Sequence, residues 1–289
     1  MFFGRKNCAE ACRSGVHLSL ALSCESRVVA WVFPARPSMV KRAIMVADDT
    51  KSGVDISVVI PAFNEEECIG RCVDEVRAVI ARLGGRYEII VVDDGSTDGT
   101  FDLLKQCKER TPELVVLRFD GNYGQTAAFD AGFKAARGRV VVTMDADLQN
   151  DPNDIPELVR LADQWDVVCG YREKRHDSVV RRISSRIANW VRNTLTHESI
   201  RDVGCSVRAI RAEALKGLKL YNGMHRFLPT LLRQDGCSVS EVPVKHRPRR
   251  WGRAKYGIRN RLFRGLRDLF AVRWMMSRWL RYRVEERIE

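Results

Sequence analysis

An α/β fold, built on a mostly parallel sheet with helices on both faces, is predicted by three observations. Strand-like and helix-like segments alternate four times between residues 55 and 170, the order that builds βαβ units. The strand segments are unbroken runs of β-branched and apolar residues, the composition of strands buried on both faces. Three of them run straight into acidic or glycine-bearing loops. In a parallel sheet such loops gather beyond the carboxyl ends of the strands, where ligands sit.

The elements follow in order. Residues 1–53 show no sustained periodicity and are left unassigned. Val16–Cys24, after Arg5, Lys6 and Arg13, has the look of a short export-signal core, but it is brief and holds His17. The stretch is expected to be a disordered extension, or sequence upstream of a true start at Met39 or Met45. Ile56–Ile60 reads as the first strand, closed by Pro61. Asn64 is expected to cap the next helix with Glu67 as its capping-box partner. Cys68, Ile69, Cys72, Val73, Val76, Val79, Ile80 and Leu83 form its 3.6-residue stripe, and Gly84-Gly85 stops it. Glu88–Val92 is a second strand. A helix to about Arg110, a strand over Leu114–Arg118 and a helix over Thr126–Ala136 follow. Val140–Met144 is a buried strand leading into Asp145-Ala146-Asp147-Leu148-Gln149. Pro156–Gln164 reads as a helix and Asp166–Gly170 as a strand.

Beyond residue 170 the pattern changes. A partly helical, arginine-rich segment spans 171–192. Ser206–Ile210 and Ser238–Val244 read as strands, Ala212–Leu218 and Met224–Gln234 as helices. Residues 54–257 are read as one domain. Ile258–Ile288 forms a basic amphipathic helical tail of one or two helices, with Leu262, Phe263, Leu266, Leu269, Phe270, Trp274 and Leu280 among arginines. That composition suits a membrane surface, and equally a helix packed on the domain with a solvated basic face.

Charge is unevenly divided. Residues 55–170 hold 12 Lys/Arg against 22 Asp/Glu, whereas residues 171–289 hold 29 against 11. An acidic half beside a basic half fits an anionic substrate or surface. No recognition-helix, zinc-finger or aromatic-stacking signature accompanies it, so nucleic acid is not the expected partner. The nine cysteines fall singly, with no CxxC spacing, which points to a reducing compartment and no zinc site. No run of 18 apolar residues is present to span a membrane as a helix.

The chemistry centres on Asp145 and Asp147. Carboxylates at i and i+2 where a strand ends turn to one side as the backbone leaves the sheet. Two hard oxygen donors on one spot suit Mg²⁺ or Mn²⁺, ions that bring phosphate oxygens with them. Alone, the pattern is also that of an ordinary polar loop.

Three segments standing in order make it more specific: Ser57-Val-Val-Ile-Pro-Ala-Phe-Asn-Glu-Glu66, Val91-Val-Asp-Asp-Gly-Ser-Thr-Asp-Gly-Thr100 and Met144-Asp-Ala-Asp-Leu-Gln-Asn-Asp-Pro152. Together they resemble the family-2 glycosyltransferases of the GT-A (Rossmann-like) fold. Gly170–Arg175, Arg182–Asn189, Asp202–Ser206, Met224–Phe227 and Arg249–Tyr256 narrow the resemblance to the polyprenyl-phosphate and dolichol-phosphate glycosyltransferases, over about residues 55–270. The resemblance implies that Pro61, Phe63 and Glu65 flank base and ribose. It implies that Val92 and Asp94 contact the base, with Asp93 holding the turn. Asp145, Asp147 and Gln149 would hold Mg²⁺ or Mn²⁺ against the diphosphate, with Ala146 between them against the nucleotide sugar. Arg172, Arg249 and Lys255 would meet phosphate oxygens, although in so basic a region each is also readable as surface charge. Asp202 is the candidate base if the acceptor is a hydroxyl. Ala254 stands where many members carry Ser, and the chain closes on a charged tail where bacterial members continue into two transmembrane helices.

The expected activity is inverting, metal-dependent transfer of a hexose from a UDP- or GDP-sugar to an undecaprenyl- or dolichyl-type phosphate. The enzyme is expected in the cytoplasm, peripheral on the inner face of the plasma membrane, serving a cell-envelope glycan and docked on anionic lipid by its tail. Transfer to a soluble or protein hydroxyl is the competing enzymatic reading. A silent nucleotide-sugar-binding scaffold on the same fold is the non-enzymatic one.

Overall fold

The structure, a computed structural model, describes residues 53–172, 192–196, 200–248, 258–280 and 286. Among these, seven strands form one sheet in the order β3-β2-β1-β4-β6-β5-β7. They are β1 (Ile56–Ala62), β2 (Tyr87–Asp93), β3 (Leu114–Arg118), β4 (Val140–Thr143), β5 (Val167–Arg172), β6 (Arg208–Arg211) and β7 (Val239–Val244). The pairs β1–β2, β1–β4, β2–β3 and β5–β7 are parallel. The short β6 alone runs against both its neighbours, β4 and β5. The expected mostly parallel sheet is what forms.

Its layers follow from the pleat, which sends successive side chains to opposite faces. Val58, Ile60, Ile89, Val91, Val140 and Val142 face one layer, with Cys72, Val73, Leu104, Cys107, Ile155 and Leu158. That layer is supplied by α1 (Ile69–Ile80), α2 (Thr100–Arg110) and α4 (Ile155–Leu161). Val59, Ile90, Val92 and Val141 point the other way, onto Ala128 and Phe129 of α3 (Gln125–Ala135). Cys68 and Cys72 are buried free thiols on the inner stripe of α1 and its cap, as small hydrophobes would be. Gly132 lets α3 approach β1 closely, since a Cβ there would collide with Val59 Cγ1. Further helices among the described residues are α5 (Ala212–Leu215), α6 (Leu228–Gln234) and α7 (Ile258–Ser277).

Several boundaries differ from those the sequence suggests. Helix α1 begins at Ile69 after Cys68, with no side-chain cap. Asn64 is therefore not its cap, and the Asn64–Glu67 capping box does not form. Asn64 takes φ 51 instead, and its Oδ1 accepts from Thr97 N–H at 2.8 Å. A loop-to-loop tie has claimed the side chain that local pattern assigned to a helix. Met224–Phe227 is a 3₁₀ turn preceding α6 rather than part of it. The segment 173–191 and the stretch 249–257 lie outside the described residues.

A buried carboxylate locks the start of β4 to β1 and β2. Glu88 Oε1 accepts from Ser57 Oγ at 2.6 Å and Arg137 N–H at 2.7 Å. Its Oε2 accepts from Arg137 Nε at 2.9 Å and Nη2 at 2.7 Å. Four donors satisfy the charge of a residue that the strand pattern alone would fill with an apolar side chain. Glu88→Ala leaves the buried Ser57 hydroxyl and the Arg137 N–H without that acceptor. A loss of about 2 kcal/mol is expected in urea unfolding, with no change of denaturant slope.

Candidate active site

The carboxyl ends of β1, β2 and β4 share one edge of the sheet because the three strands are parallel. The loops after β1 and β2 are tied together by backbone donors. Asn64 N–H donates to Ser96 Oγ at 2.9 Å, and Glu65 N–H to Thr100 Oγ1 at 2.8 Å. Glu66 Oε2 accepts from Gly99 N–H at 2.8 Å. Gly95, at φ 72, brings its Cα against the backbone of Gly121, where a Cβ would meet the carbonyl carbon at 2.5 Å. The loops after β1 and β2 are therefore in contact with each other, and Gly95 with the loop after β3.

Each expected residue has a definite position. Pro61, inside the end of β1, and Phe63, just past it, are half-buried. Glu65 is buried, with Cys68 Sγ 3.1 Å from its Oε2. The Val92 side chain is sealed beneath α3, which leaves its main chain for any base contact. Asp93 holds the turn, accepting Ser96 N–H at 3.0 Å. Asp94 accepts Tyr123 N–H at 2.7 Å on one oxygen and Gly124 N–H at 2.8 Å on the other. It fastens the β3–α3 loop to the end of β2, a role its sequence neighbourhood does not reveal. Burial raises its pKa above the ordinary carboxylate value.

Asp145 and Asp147 flank the buried Ala146 just past β4. The Asp145 carboxyl accepts from Gln125 Nε2 at 2.8 Å. Desolvation, with the nearby charge of Asp147 added, pushes its pKa up to about 6. Asp147 Oδ1 accepts Gln149 N–H at 3.1 Å, closing a tight turn. Leu148 takes the left-handed conformation in that turn, φ 59, and buries its side chain in the core. Strained backbone of this kind persists where surrounding structure over-determines it. Here it lets Leu148 reach inward while Asp147 and Gln149 stay half-exposed on the edge.

Two carboxylates this close, one of them already resisting ionisation, form a donor set that a divalent cation would relieve. The amide of Gln149 offers a third oxygen. The residues present thus fit Mg²⁺ or Mn²⁺, with Asp145, Asp147 and Gln149 as the holding groups.

The end of β7 runs along this turn. Arg247 N–H donates to Gln149 O at 2.8 Å, and Asn150 pairs with His246 in an antiparallel bridge. His246 Nε2 lies 3.5 Å from the Gln149 side-chain nitrogen. Arg247 reaches Glu75 Oε2 at 2.6 Å and Asp151 Oδ1 at 2.9 Å. Arg249 and Lys255 lie outside the described residues.

Arg172 and Asp202, to which the sequence assigned separate roles, are partners. Arg172 Nε donates to Asp202 Oδ2 at 2.7 Å and Nη2 to Oδ1 at 2.9 Å. Asp202 is buried in this bidentate pair. It therefore holds Arg172 rather than standing open to take a hydroxyl proton.

Sequence reasoning assigned nothing to Gln125, Thr126, His225, His246 or Arg247. Met224–Phe227 was singled out as a segment, but no role came with it. His225 Nδ1 lies 2.7 Å from Thr126 Oγ1 at the head of α3. Burial, reinforced by the charges of Arg226 and Arg208, lowers its pKa to about 3. The unfolded chain binds that proton below about pH 6.5, which the folded chain declines until about pH 3. The contribution is thus fully present above pH 6.5 and lost as pH falls through this window. Thermal melts from pH 7 to 4 are expected to fall more steeply for the wild type than for His225→Gln.

The sheet and its acidic edge define the class: an α/β protein whose ligands meet the carboxyl ends of parallel strands. Residues 57–218 match the family model described as Glycosyl transferase family 2. Dodecaprenyl-phosphate galacturonate synthase of Rhizobium johnstonii is 39% identical over 235 residues, covering 79% of this chain and 69% of that protein. Undecaprenyl-phosphate 4-deoxy-4-formamido-L-arabinose transferase of Edwardsiella ictaluri is 39% identical over 212 residues, covering 73% and 65%. This chain thus spans about two thirds of the length of these relatives. Crystal structures of glucosyl-3-phosphoglycerate synthase from Mycobacterium tuberculosis share the fold. The complex with Mn²⁺, UDP and phosphoglyceric acid superposes with a TM-score of 0.61 at 23% identity, over 78% of this chain and 80% of that one. The chain belongs to glycosyl transferase family 2.

Proposed function

We propose that this glycosyltransferase moves a hexose from a UDP- or GDP-sugar to a polyprenyl phosphate of undecaprenyl or dolichyl type, with inversion at the anomeric carbon. The observation that carries the reading is the Asp145/Asp147 pair at the carboxyl edge, beside the chain that leads into the basic segment 249–255. The relatives named for dodecaprenyl-phosphate and undecaprenyl-phosphate substrates support the acceptor class. The Mn²⁺–UDP complex of a protein of like fold supports a metal-bound nucleotide.

A divalent cation held by Asp145, Asp147 and Gln149 would neutralise charge on the departing diphosphate. Pro61, Phe63, Glu65, Val92 and Asp94 stand at the ends of β1 and β2 and just beyond, where base and ribose would lie, Val92 offering its main chain alone. Arg249 and Lys255 are assigned to the diphosphate, the guanidinium as a fixed fork and the ammonium as a mobile charge. Arg172, oriented by Asp202, is assigned to the acceptor phosphate. That acceptor is already anionic at neutral pH, so it needs positioning and desolvation rather than a general base. The pairing of Asp202 with Arg172 favours this acceptor over a hydroxyl, which would need a carboxylate ready to take a proton.

Membrane docking is assigned to α7. Leu269 and Val272 pack on Met224, Phe227 and Leu231. Leu266, Phe270 and Trp274, spaced i, i+4, i+8, lie exposed on another face, Phe270 at 63% and Trp274 at 64%. Arg267 and Arg278 are exposed alongside. An apolar stripe with arginine flanks complements an anionic bilayer on the cytoplasmic side. No helix among the described residues is long and apolar enough to cross a membrane. Trp274→Ala with Phe270→Ala is expected to cut co-sedimentation with phosphatidylglycerol vesicles at least fivefold. Unchanged sedimentation would remove α7 from the contact.

The activity is tested by offering labelled nucleotide sugars with undecaprenyl phosphate and Mg²⁺ or Mn²⁺. Label entering the organic phase is the expected result. Label moving only to water or to soluble acceptors would refute the lipid acceptor. Failure to bind any nucleotide would leave a scaffold on the same fold.

A further inference from the structure

We infer that His225 contacts the transferred sugar, its imidazole Nε2–H donating to a hydroxyl oxygen of the nucleotide sugar beside Asp145. The inference rests on the nucleotide-sugar reading and adds a recognition residue to it.

The placement comes from α3. Gln125, its first residue, donates to Asp145. Thr126, the next, is buried and bonded to His225. Arg208 links the two from the other side. Its Nη1 donates to His225 O at 2.9 Å, and its charge stabilises ionised Asp145. The imidazole therefore stands at the same sheet edge as the acidic turn, one residue of α3 removed from the side chain that holds Asp145.

The tautomer follows from counting donors. Thr126 Oγ1 accepts Gly223 N–H at 2.9 Å. Its own hydroxyl proton has no acceptor among the described residues except His225 Nδ1, 2.7 Å away. Nδ1 is then the acceptor, and the ring proton sits on Nε2. Nε2 has no hydrogen-bond partner among the described residues, and the His225 residue is only half-buried. The low proton affinity of the ring keeps it neutral across the physiological range.

A neutral N–H suits a neutral oxygen. Phosphate oxygens call for charged donors, the role proposed above for arginines and a lysine, whereas a sugar hydroxyl calls for an uncharged donor with a fixed direction. The Thr126 tie supplies the direction. Phe129, its ring centroid 6.2 Å from that of His225, backs the imidazole from within the core. A site that donates to a substrate hydroxyl also discriminates against sugars lacking it, since the donor is then left unpaired.

The test uses the full-length chain with His225→Ala and His225→Gln, each checked by thermal melting. Transfer kinetics are measured with the nucleotide sugar that the wild type uses, and UDP or GDP affinity by calorimetry with Mn²⁺. His225→Ala is expected to lower kcat/KM at least tenfold while nucleoside-diphosphate affinity stays within twofold. His225→Gln, whose amide N–H reaches a similar point, is expected to restore most of the loss. Wild-type kcat/KM in His225→Ala overturns the inference. So does an equal loss of nucleoside-diphosphate affinity, or equal losses in both variants with lowered melting temperature, since each assigns a structural role only. A wild-type protein that binds neither UDP nor GDP refutes the underlying nucleotide-sugar reading, and this inference with it.

Discussion

Replacing Asp147 with Asn is expected to lower transfer by about 10²- to 10³-fold, the scale on which a single electrostatic stabiliser of a leaving group acts. The substitution removes one negative charge and little else. The Gln149 N–H that Asp147 accepts at 3.1 Å is accepted equally well by an amide oxygen, so the Leu148 turn keeps its closure. The fold should therefore survive, with a melting temperature near that of the wild type. A second consequence follows for the neighbour. The charge of Asp147 is one of the causes holding the Asp145 pKa up at about 6, so its removal lets Asp145 ionise at lower pH. In the proposed reading the variant loses a carboxylate that would hold the metal, while the remaining one becomes more readily charged. A rate near the wild type in saturating Mn²⁺ would sink the assignment of this pair to a metal.

Asp202→Ala is expected to destabilise the protein by about 3–5 kcal/mol, the scale for breaking a buried ion pair by removing one partner. The Asp202 side chain is 6% exposed and that of Arg172 20%, so the abandoned guanidinium stays largely out of water. Replacing both partners, as Arg172→Met with Asp202→Leu, should recover most of the loss, because no charge is then left buried. The double-mutant cycle in urea measures the coupling. Asp202→Asn separates the chemical roles. As holder of Arg172, Asp202 should yield a variant with raised KM for the lipid phosphate. A variant of normal stability and normal KM, with kcat alone collapsed, would instead mark Asp202 as a general base.

Much of the fold could be read from residues. The runs Val58-Val59-Ile60, Ile89–Val92 and Val140–Val142 announce strands because both faces of each are covered, so no alternation hides them. Once these strands are parallel, convergence of the Pro61–Glu66, Asp93–Gly99 and Asp145–Asp151 loops follows from topology. The direction of β6 was not readable. Four residues running straight into a short helix carry no directional signal, and only pairing with β4 and β5 decides it. Asn64 misled because a capping pattern is local, whereas the N–H that its side chain satisfies belongs to Thr97, 33 residues on.

The site was legible in its acidic half and obscure in its basic half. Asp145, Asp147 and Gln149 occupy one turn, so spacing alone brings them together. Arg172 and Asp202 are 30 residues apart, and in so basic a region no pattern says which arginine meets which carboxylate. His225 and His246 reach the edge through tertiary contact with α3 and with the β4 loop. Neither contact leaves a trace in local sequence.

In the proposed reaction a sugar leaves a metal-bound diphosphate for a phosphate oxygen by direct displacement. This displacement is tested most directly by NMR of the product formed from an α-linked nucleotide sugar and a short-chain polyprenyl phosphate. A phosphodiester with the sugar in the β configuration is the expected product. A retained α anomer, or a sugar joined through a hydroxyl oxygen, would contradict it.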